Sequence, residues 1–161
     1  MSFELQLKSF LENFEKLIVL GVGNELKCDD GIGPYIIKEL KKENIEDDGR
    51  IMFIDAQTVP ENFTGKIRKE NPSHLIIVDA CLMDGEAGEM KIVDKDDFAN
   101  IGISTHSMSL SFFVRYLEQD TDFKIIFVGI EPESMDYADE PTPKVEKAAC
   151  EFVNILKGII L

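Results

Sequence analysis

The sequence contains no tryptophan, only two histidines and few basic residues. Its 17 Lys and Arg residues stand against 31 Asp and Glu residues, which gives a formal net charge of −14. No cluster of Lys and Arg offers the positive surface that contacts with a phosphate backbone require. We therefore expect no nucleic-acid partner, and the acidity indicates a solvated surface rather than a site for a basic partner.

Cysteine is also scarce, and long apolar runs are absent. Cys28, Cys81 and Cys150 are odd in number and form no C-x-x-C pair, which argues against structural zinc or a redox pair and favours a reducing compartment. No run of about 18 apolar residues occurs, and the N-terminus MSFELQLKSFLENFEK lacks the basic and apolar regions of a signal peptide. We expect a cytoplasmic protein with no membrane partner.

The chain has the length and composition of a single folded domain over residues 1–161. Apolar residues make up 44% and charged residues 30% of it, a balance typical of globular proteins. Continuous apolar runs are typical of strands covered on both faces, and helical patterns between them predict a three-layer α/β/α sandwich with a twisted, mostly parallel sheet. These runs are LIVLGV (17–22), RIMFID (50–55), HLIIVDA (74–80) and KIIFVGI (124–130).

One further strand and five helices complete the pattern. EMKIVD (89–94) alternates apolar and polar residues and follows a turn without a crossover helix, so it predicts an antiparallel strand at the edge of the sheet. The amphipathic segment 2–15 is expected to cover the sheet, with docking to a partner as the alternative. The other helices are expected from about Pro34, in the segment ending at Lys69, over 107–120 and over 141–160.

The segment GVGNELKCDDGIGP (21–34) resembles a phosphate-binding turn between a strand and a helix, and Asp55 after the second strand is compatible with a dinucleotide fold. The third glycine of that pattern would fall at Leu26, however, and two adjacent carboxylates would repel a pyrophosphate. A dinucleotide-binding function is therefore disfavoured.

Acids follow three strands at their carboxyl ends, where ligands bind in open parallel sheets. Asp29 and Asp30 follow the first strand, Asp55 ends the second and Asp79 ends the third. His106 lies in a loop that leads into a helix. Two carboxylates and an imidazole suit a divalent ion such as zinc, nickel or iron, with other coordination positions open. His74 begins a strand at the opposite end, so we interpret it as structural, and Cys28 as a small packed residue rather than a thiolate.

Five segments of the chain form a characteristic set: GVGNELKCDDGIGP, DAQTVPENF, LIIVDA, STHSMSL and FVGIEP, in that order. Taken together, they resemble the hydrogenase maturation endopeptidases, which remove a C-terminal extension from the large-subunit precursor of nickel-iron hydrogenases. The resemblance spans residues 16–157, and STHSMSL and VPEN are most similar to the branch that acts on formate-hydrogenlyase-type (hydrogenase-3-type) enzymes.

The resemblance implies a five-stranded, mostly parallel sheet and three metal-contacting residues that also serve catalysis, Asp30, Asp79 and His106. Many members have Glu at the position of Asp30, whereas the favoured branch has Asp there. Asp29, the acid beside it, is the less favoured alternative ligand. The helix at 2–15 lies outside the pattern, so the resemblance implies nothing about its role.

The resemblance also implies an aspartic-type or metal-assisted peptidase that recognises nickel already inserted in its precursor and needs no permanently bound metal. We expect a monomer, with Gln57, Thr58, Pro60 and Asn62 as weaker candidates for contacts with the substrate peptide. The alternatives are a noncatalytic nickel-sensing chaperone for the same precursor, a hydrolase with permanently bound zinc and, last, the dinucleotide binder.

Overall fold

The computed structural model describes residues 1–47, 49–94, 107–119 and 121–161. Within these ranges, five strands form one sheet in the order β2-β1-β3-β5-β4. Neighbouring strands are parallel except β4, which pairs antiparallel with β5 at the edge, so the predicted sheet and its antiparallel edge are confirmed. The strands are β1 (Leu17–Val22), β2 (Ile51–Gln57), β3 (His74–Ala80), β4 (Met90–Asp94) and β5 (Lys124–Ile130).

The central strands are apolar because helices cover both of their faces. Every residue of β1 and of β3 is buried. Leu7, Ile36 and Phe152 join the core on one face of the sheet, and Ile67 and Phe113 join the core on the other. The helices of the described residues are α1 (Phe3–Phe10), α2 (Ile32–Lys42), α3 (Thr64–Glu70), α4 (Ser107–Glu118) and α5 (Pro143–Ile160).

This arrangement is the predicted three-layer α/β/α sandwich. Helices α1, α2 and α5 cover one face, while α3 and α4 cover the other. Among the helices of the described residues, none is both long enough and apolar enough to cross a lipid bilayer.

Several element boundaries differ from the sequence predictions, including the following three. Helix α1 ends at Phe10 rather than at residue 15, because the chain turns there and Asn13 takes a left-handed conformation (φ 62°). Helix α2 begins at Ile32, before Pro34. Strand β2 continues beyond Asp55 to Gln57, because the register with β1 shifts after Gly21 and pairs Val22 with Gln57.

Candidate active site at the carboxyl edge of the sheet

The turn after β1 lies directly against the ends of the central strands. It contains a short 3₁₀ helix, Cys28–Gly31, which runs into α2. A Cβ added at Gly33 would lie 2.6 Å from both the backbone nitrogen of Val22 and the carbonyl oxygen of Val78. Only glycine therefore lets the first turn of α2 approach β1 and β3 this closely. Because Val78 directly precedes Asp79, this close contact lies next to the candidate site.

Asp30 and Asp79 lie at this same edge of the sheet. Asp30 belongs to the 3₁₀ helix, which contacts β3, and Asp79 is the penultimate residue of β3. Their exposed fractions are 2% and 0%. The Asp79 carboxylate accepts a hydrogen bond from the backbone N–H of Ala80 at 2.8 Å, which orients it at the strand end. The fold thus places two buried carboxylates on adjacent elements.

The third predicted ligand, His106, lies outside the described residues, and α4 begins at the next residue, Ser107. Within the described ranges no group of three His, Cys, Asp or Glu side chains could hold a metal ion. The metal-contacting roles of Asp30, Asp79 and His106 therefore stay a prediction.

Asp29 faces a different part of the molecule. Its carboxylate accepts hydrogen bonds from the backbone N–H groups of Glu133 (2.8 Å), Ser134 (3.0 Å) and Thr142 (2.7 Å) and from the Thr142 hydroxyl (2.8 Å). Side chains of adjacent residues in a 3₁₀ helix diverge by about 120°, since the helix has three residues per turn. Both oxygens of Asp29 are thus occupied by protein donors, which argues against its role as the alternative ligand.

The turn offers no cradle for a phosphate. A dinucleotide fold would direct free backbone N–H groups towards the pyrophosphate. Here the N–H groups of Cys28, Asp29 and Asp30 donate to the carbonyl oxygens of Ala138 (3.0 Å), Ser134 (3.1 Å) and Lys27 (3.0 Å). The structure therefore argues against the dinucleotide-binding alternative.

The cysteines near this edge are protonated, packed residues. Cys28 is 8% exposed, and burial together with the Asp29 carboxylate raises the pKa of its thiol. Burial, with Asp79 and Glu131 nearby, raises the pKa of Cys81 to about 11. A thiol is a poor nucleophile and metal ligand compared with a thiolate, so Cys28 fits the packing role inferred from the sequence. None of the three cysteines, all of which lie in the described ranges, forms a disulfide bond.

Glu131 is a buried acid whose role was not assigned from the sequence, although it lies in the FVGIEP segment. It follows β5 and is 5% exposed. Its carboxylate accepts hydrogen bonds from the backbone N–H groups of Met83 (2.8 Å) and Gly85 (3.0 Å). Glu131 therefore fixes the loop that follows Asp79 and β3. Its position directly after a buried strand was the sequence signal that could have identified it.

Asp55 and the loop after it line the same edge further out. Burial raises the pKa of Asp55, and the carboxylate of Glu25 adds to the rise. The side chains of Gln57, Thr58 and Asn62 are exposed, whereas Pro60 is buried. Pro60 is therefore the least accessible of the proposed substrate contacts.

An open groove of about 620 Å³ lies beside this loop, between the 3₁₀ helix Pro60–Phe63 and α4. Phe112 and Tyr116 line it and are 65% and 47% exposed, an unusual exposure for large apolar side chains. The guanidinium of Arg68 lies over the Tyr116 ring, 4.1 Å from its centroid. The groove thus presents aromatic surface next to the 3₁₀ helix that contains Asn62, which follows Gln57 at the end of β2.

His74 lies at the opposite end of the sheet, as expected. It begins β3 and is 3% exposed. Its ring packs edge-on against Phe10, with centroids 5.0 Å apart, and against Phe14, with centroids 6.4 Å apart. Its contacts support a structural role beneath α1.

Comparison with known proteins agrees with the fold. The family model for HycI, a hydrogenase maturation protease, matches residues 34–158. Escherichia coli hydrogenase 3 maturation protease is 32% identical over 142 residues, which cover 88% of each chain. A Methanocaldococcus jannaschii protein is 38% identical over 158 residues, which cover 93% of this chain and 91% of the relative.

The fold is also that of a solved relative. The crystal structure of the [NiFe] hydrogenase maturation protease HycI from Thermococcus kodakarensis superposes with a TM-score of 0.85 at 25% identity. The aligned region covers 96% of this chain and 98% of the Thermococcus kodakarensis chain. The chain belongs to the hydrogenase maturation protease family.

Proposed function

We propose that this protein cuts the C-terminal extension from the precursor of a nickel-iron hydrogenase large subunit after nickel has been inserted. Asp30 and Asp79 contact the nickel that the precursor carries, and His106 completes the set. The metal belongs to the substrate rather than to the protein. The observation that supports this proposal most strongly is the pairing of two buried carboxylates at one edge of the sheet, in a chain of this family.

The chemistry of the two carboxylates suits this role. Burying a carboxylate is costly unless hydrogen bonds, an opposite charge or a metal compensates for the lost hydration. Asp30 and Asp79 are held on a glycine-supported turn and on a strand end, so their positions are set before substrate arrives. A set of two carboxylates and one imidazole leaves open positions, and can share an ion with ligands on the precursor.

Peptide hydrolysis breaks the amide C–N bond and forms a C–O bond with water. One aspartate takes a proton from the attacking water as general base, and the proton passes to the leaving amine. The nickel, when it is bound with the precursor, polarises the carbonyl group. We expect the exposed residues Gln57, Thr58 and Asn62 to contact the substrate peptide.

The test is to incubate the protein with nickel-loaded and with nickel-free precursor and to follow the intact mass of each. We expect mass loss from the loaded precursor alone. Equal processing of both would refute nickel-gated recognition. Binding of loaded precursor without mass loss would instead identify a noncatalytic sensor, and one tightly held zinc ion per purified chain would identify a zinc hydrolase.

A further inference from the structure

The carboxylate of Asp29 ties the turn that carries Asp30 to a distant part of the chain. Three of its hydrogen-bond donors lie 104 to 113 residues further along, at Glu133, Ser134 and Thr142. Asp29 is fully buried, and its negative charge is balanced by these N–H dipoles and by the N-terminus of α5, whose N-cap is Thr142.

The backbone just before Asp29 is tied to the same segment. The N–H of Cys28 donates to the carbonyl of Ala138 at 3.0 Å, and the N–H of Ala138 donates to the carbonyl of Leu26 at 3.0 Å. Lys27 and Ala138 form a parallel β-bridge. The 3₁₀ helix Cys28–Gly31 is therefore held by both its backbone and the Asp29 side chain, and the direction of Asp30 follows from that attachment.

The hydroxyl of Thr142 bonds to Asp29 rather than capping its own helix. An N-cap threonine ordinarily accepts a hydrogen bond from the N–H groups of its own helix, but the Thr142 side chain makes no capping bond. Its hydroxyl instead donates to Asp29 at 2.8 Å. Removing the hydroxyl would thus weaken the attachment of the 3₁₀ helix while leaving the capping of α5 as it is.

We propose that Asp29 is a positioning residue, which fixes the Asp30 carboxylate for contact with the precursor's nickel through its bonds to Thr142 and residues 133–134. This inference rests on the proposed function. Groups that orient a metal-contacting residue affect metal recognition strongly, since a displacement of the ligand weakens its bond to the ion. Asp29 acts through Asp30 and does not touch the nickel itself.

Substitutions that weaken this attachment should impair recognition of nickel-loaded precursor but not of nickel-free precursor. We would measure the KM for nickel-loaded precursor, and the inhibition constant of nickel-free precursor added as a competitor, for Asp29→Asn, Thr142→Val and Thr142→Ser. Asp29→Asn should raise the KM about tenfold and Thr142→Val about threefold, with the inhibition constant of nickel-free precursor within about twofold of wild type. Thr142→Ser keeps the hydroxyl and should behave as wild type.

The same constants distinguish the possible failures. A KM for loaded precursor that stays at the wild-type value in folded Asp29→Asn and Thr142→Val would overturn the inference. So would an equal rise in the KM and in the inhibition constant, which indicates a merely structural role. If Asp29→Asn does not fold, the comparison of Thr142→Val with Thr142→Ser decides alone. If the wild type shows no preference for loaded precursor, the proposed function fails and this inference with it.

Discussion

Thr142 donates both its backbone N–H and its hydroxyl to the carboxylate of Asp29, which lies 113 residues earlier in the chain. This contact explains why two aspartates stand side by side in the turn after β1. Asp29 joins the turn to the start of α5, and Asp30 supplies the carboxylate at the candidate site. The two adjacent charges have separate tasks because a 3₁₀ helix directs neighbouring side chains apart.

Replacement of Asp29 by alanine should destabilise the protein. The substitution leaves the partly buried donors at Glu133, Ser134 and Thr142 without their acceptor, so we expect a loss of about 3 to 5 kcal/mol in the free energy of unfolding. Urea denaturation followed by circular dichroism measures it. Asp136→Ala, an exposed acid in the same segment, should change stability by less than about 0.5 kcal/mol. Similar values for the two variants would contradict the structural role of Asp29.

A methyl group at Gly33 should force α2 away from the sheet. The added Cβ would lie 2.6 Å from the Val78 carbonyl oxygen, so Gly33→Ala should cost about 1 to 3 kcal/mol of unfolding free energy. Because the same turn carries Asp30, cleavage activity should fall as well. Thermal unfolding and the processing assay provide the measurements.

Gly158→Ala is the matched control for Gly33→Ala. Nothing lies within 4 Å of a Cβ added at Gly158 in α5, so this substitution should stabilise the helix by up to about 1 kcal/mol. Destabilisation by both substitutions would argue against close packing as the cause.

Stability should fall as the pH falls through the range in which histidine titrates. Burial lowers the pKa of His74, and the positive charge of Lys124 lowers it further. As the pH falls, the unfolded chain, whose histidine pKa is about 6.5, therefore binds a proton before the folded chain does. The stability that His74 contributes is present above about pH 6.5 and is lost progressively below it. Urea midpoints between about pH 7.5 and 5.5 should show this decline.

Substitution of His74 tests the origin of that pH dependence. His74→Gln should flatten the decline. A decline that persists unchanged in His74→Gln would show that another group causes it.

The sheet could be predicted from local sequence because its central strands are buried on both faces. LIVLGV and HLIIVDA are each apolar along nearly their whole length, and the structure places them as β1 and β3 with the predicted bounds. The antiparallel edge strand was equally clear, since its alternating pattern follows a turn without a helix. The site's place at the carboxyl edge followed from this topology.

Features that depend on distant contacts could not be predicted in this way. No local pattern shows that Asp29 meets residues 133–142, because its donors are backbone groups on another part of the chain. The continuation of β2 past Asp55 depends on a shift in register with β1. Helix α1 stops at Phe10 although its apolar pattern continues to Phe14, because the chain turns at residues 11–13 and Phe14 packs against His74 beyond that turn.

The most direct test of the central claim is the rate at which Asp79→Asn cleaves nickel-loaded precursor, compared with Glu151→Gln. Asparagine keeps the oxygen that accepts from Ala80, so the strand end should keep its shape, and Glu151 is an exposed acid on α5. We predict that Asp79→Asn loses activity by about a hundredfold or more while its circular dichroism spectrum stays native, and that Glu151→Gln cleaves at the wild-type rate. A folded Asp79→Asn protein that cleaves as fast as Glu151→Gln would contradict the account.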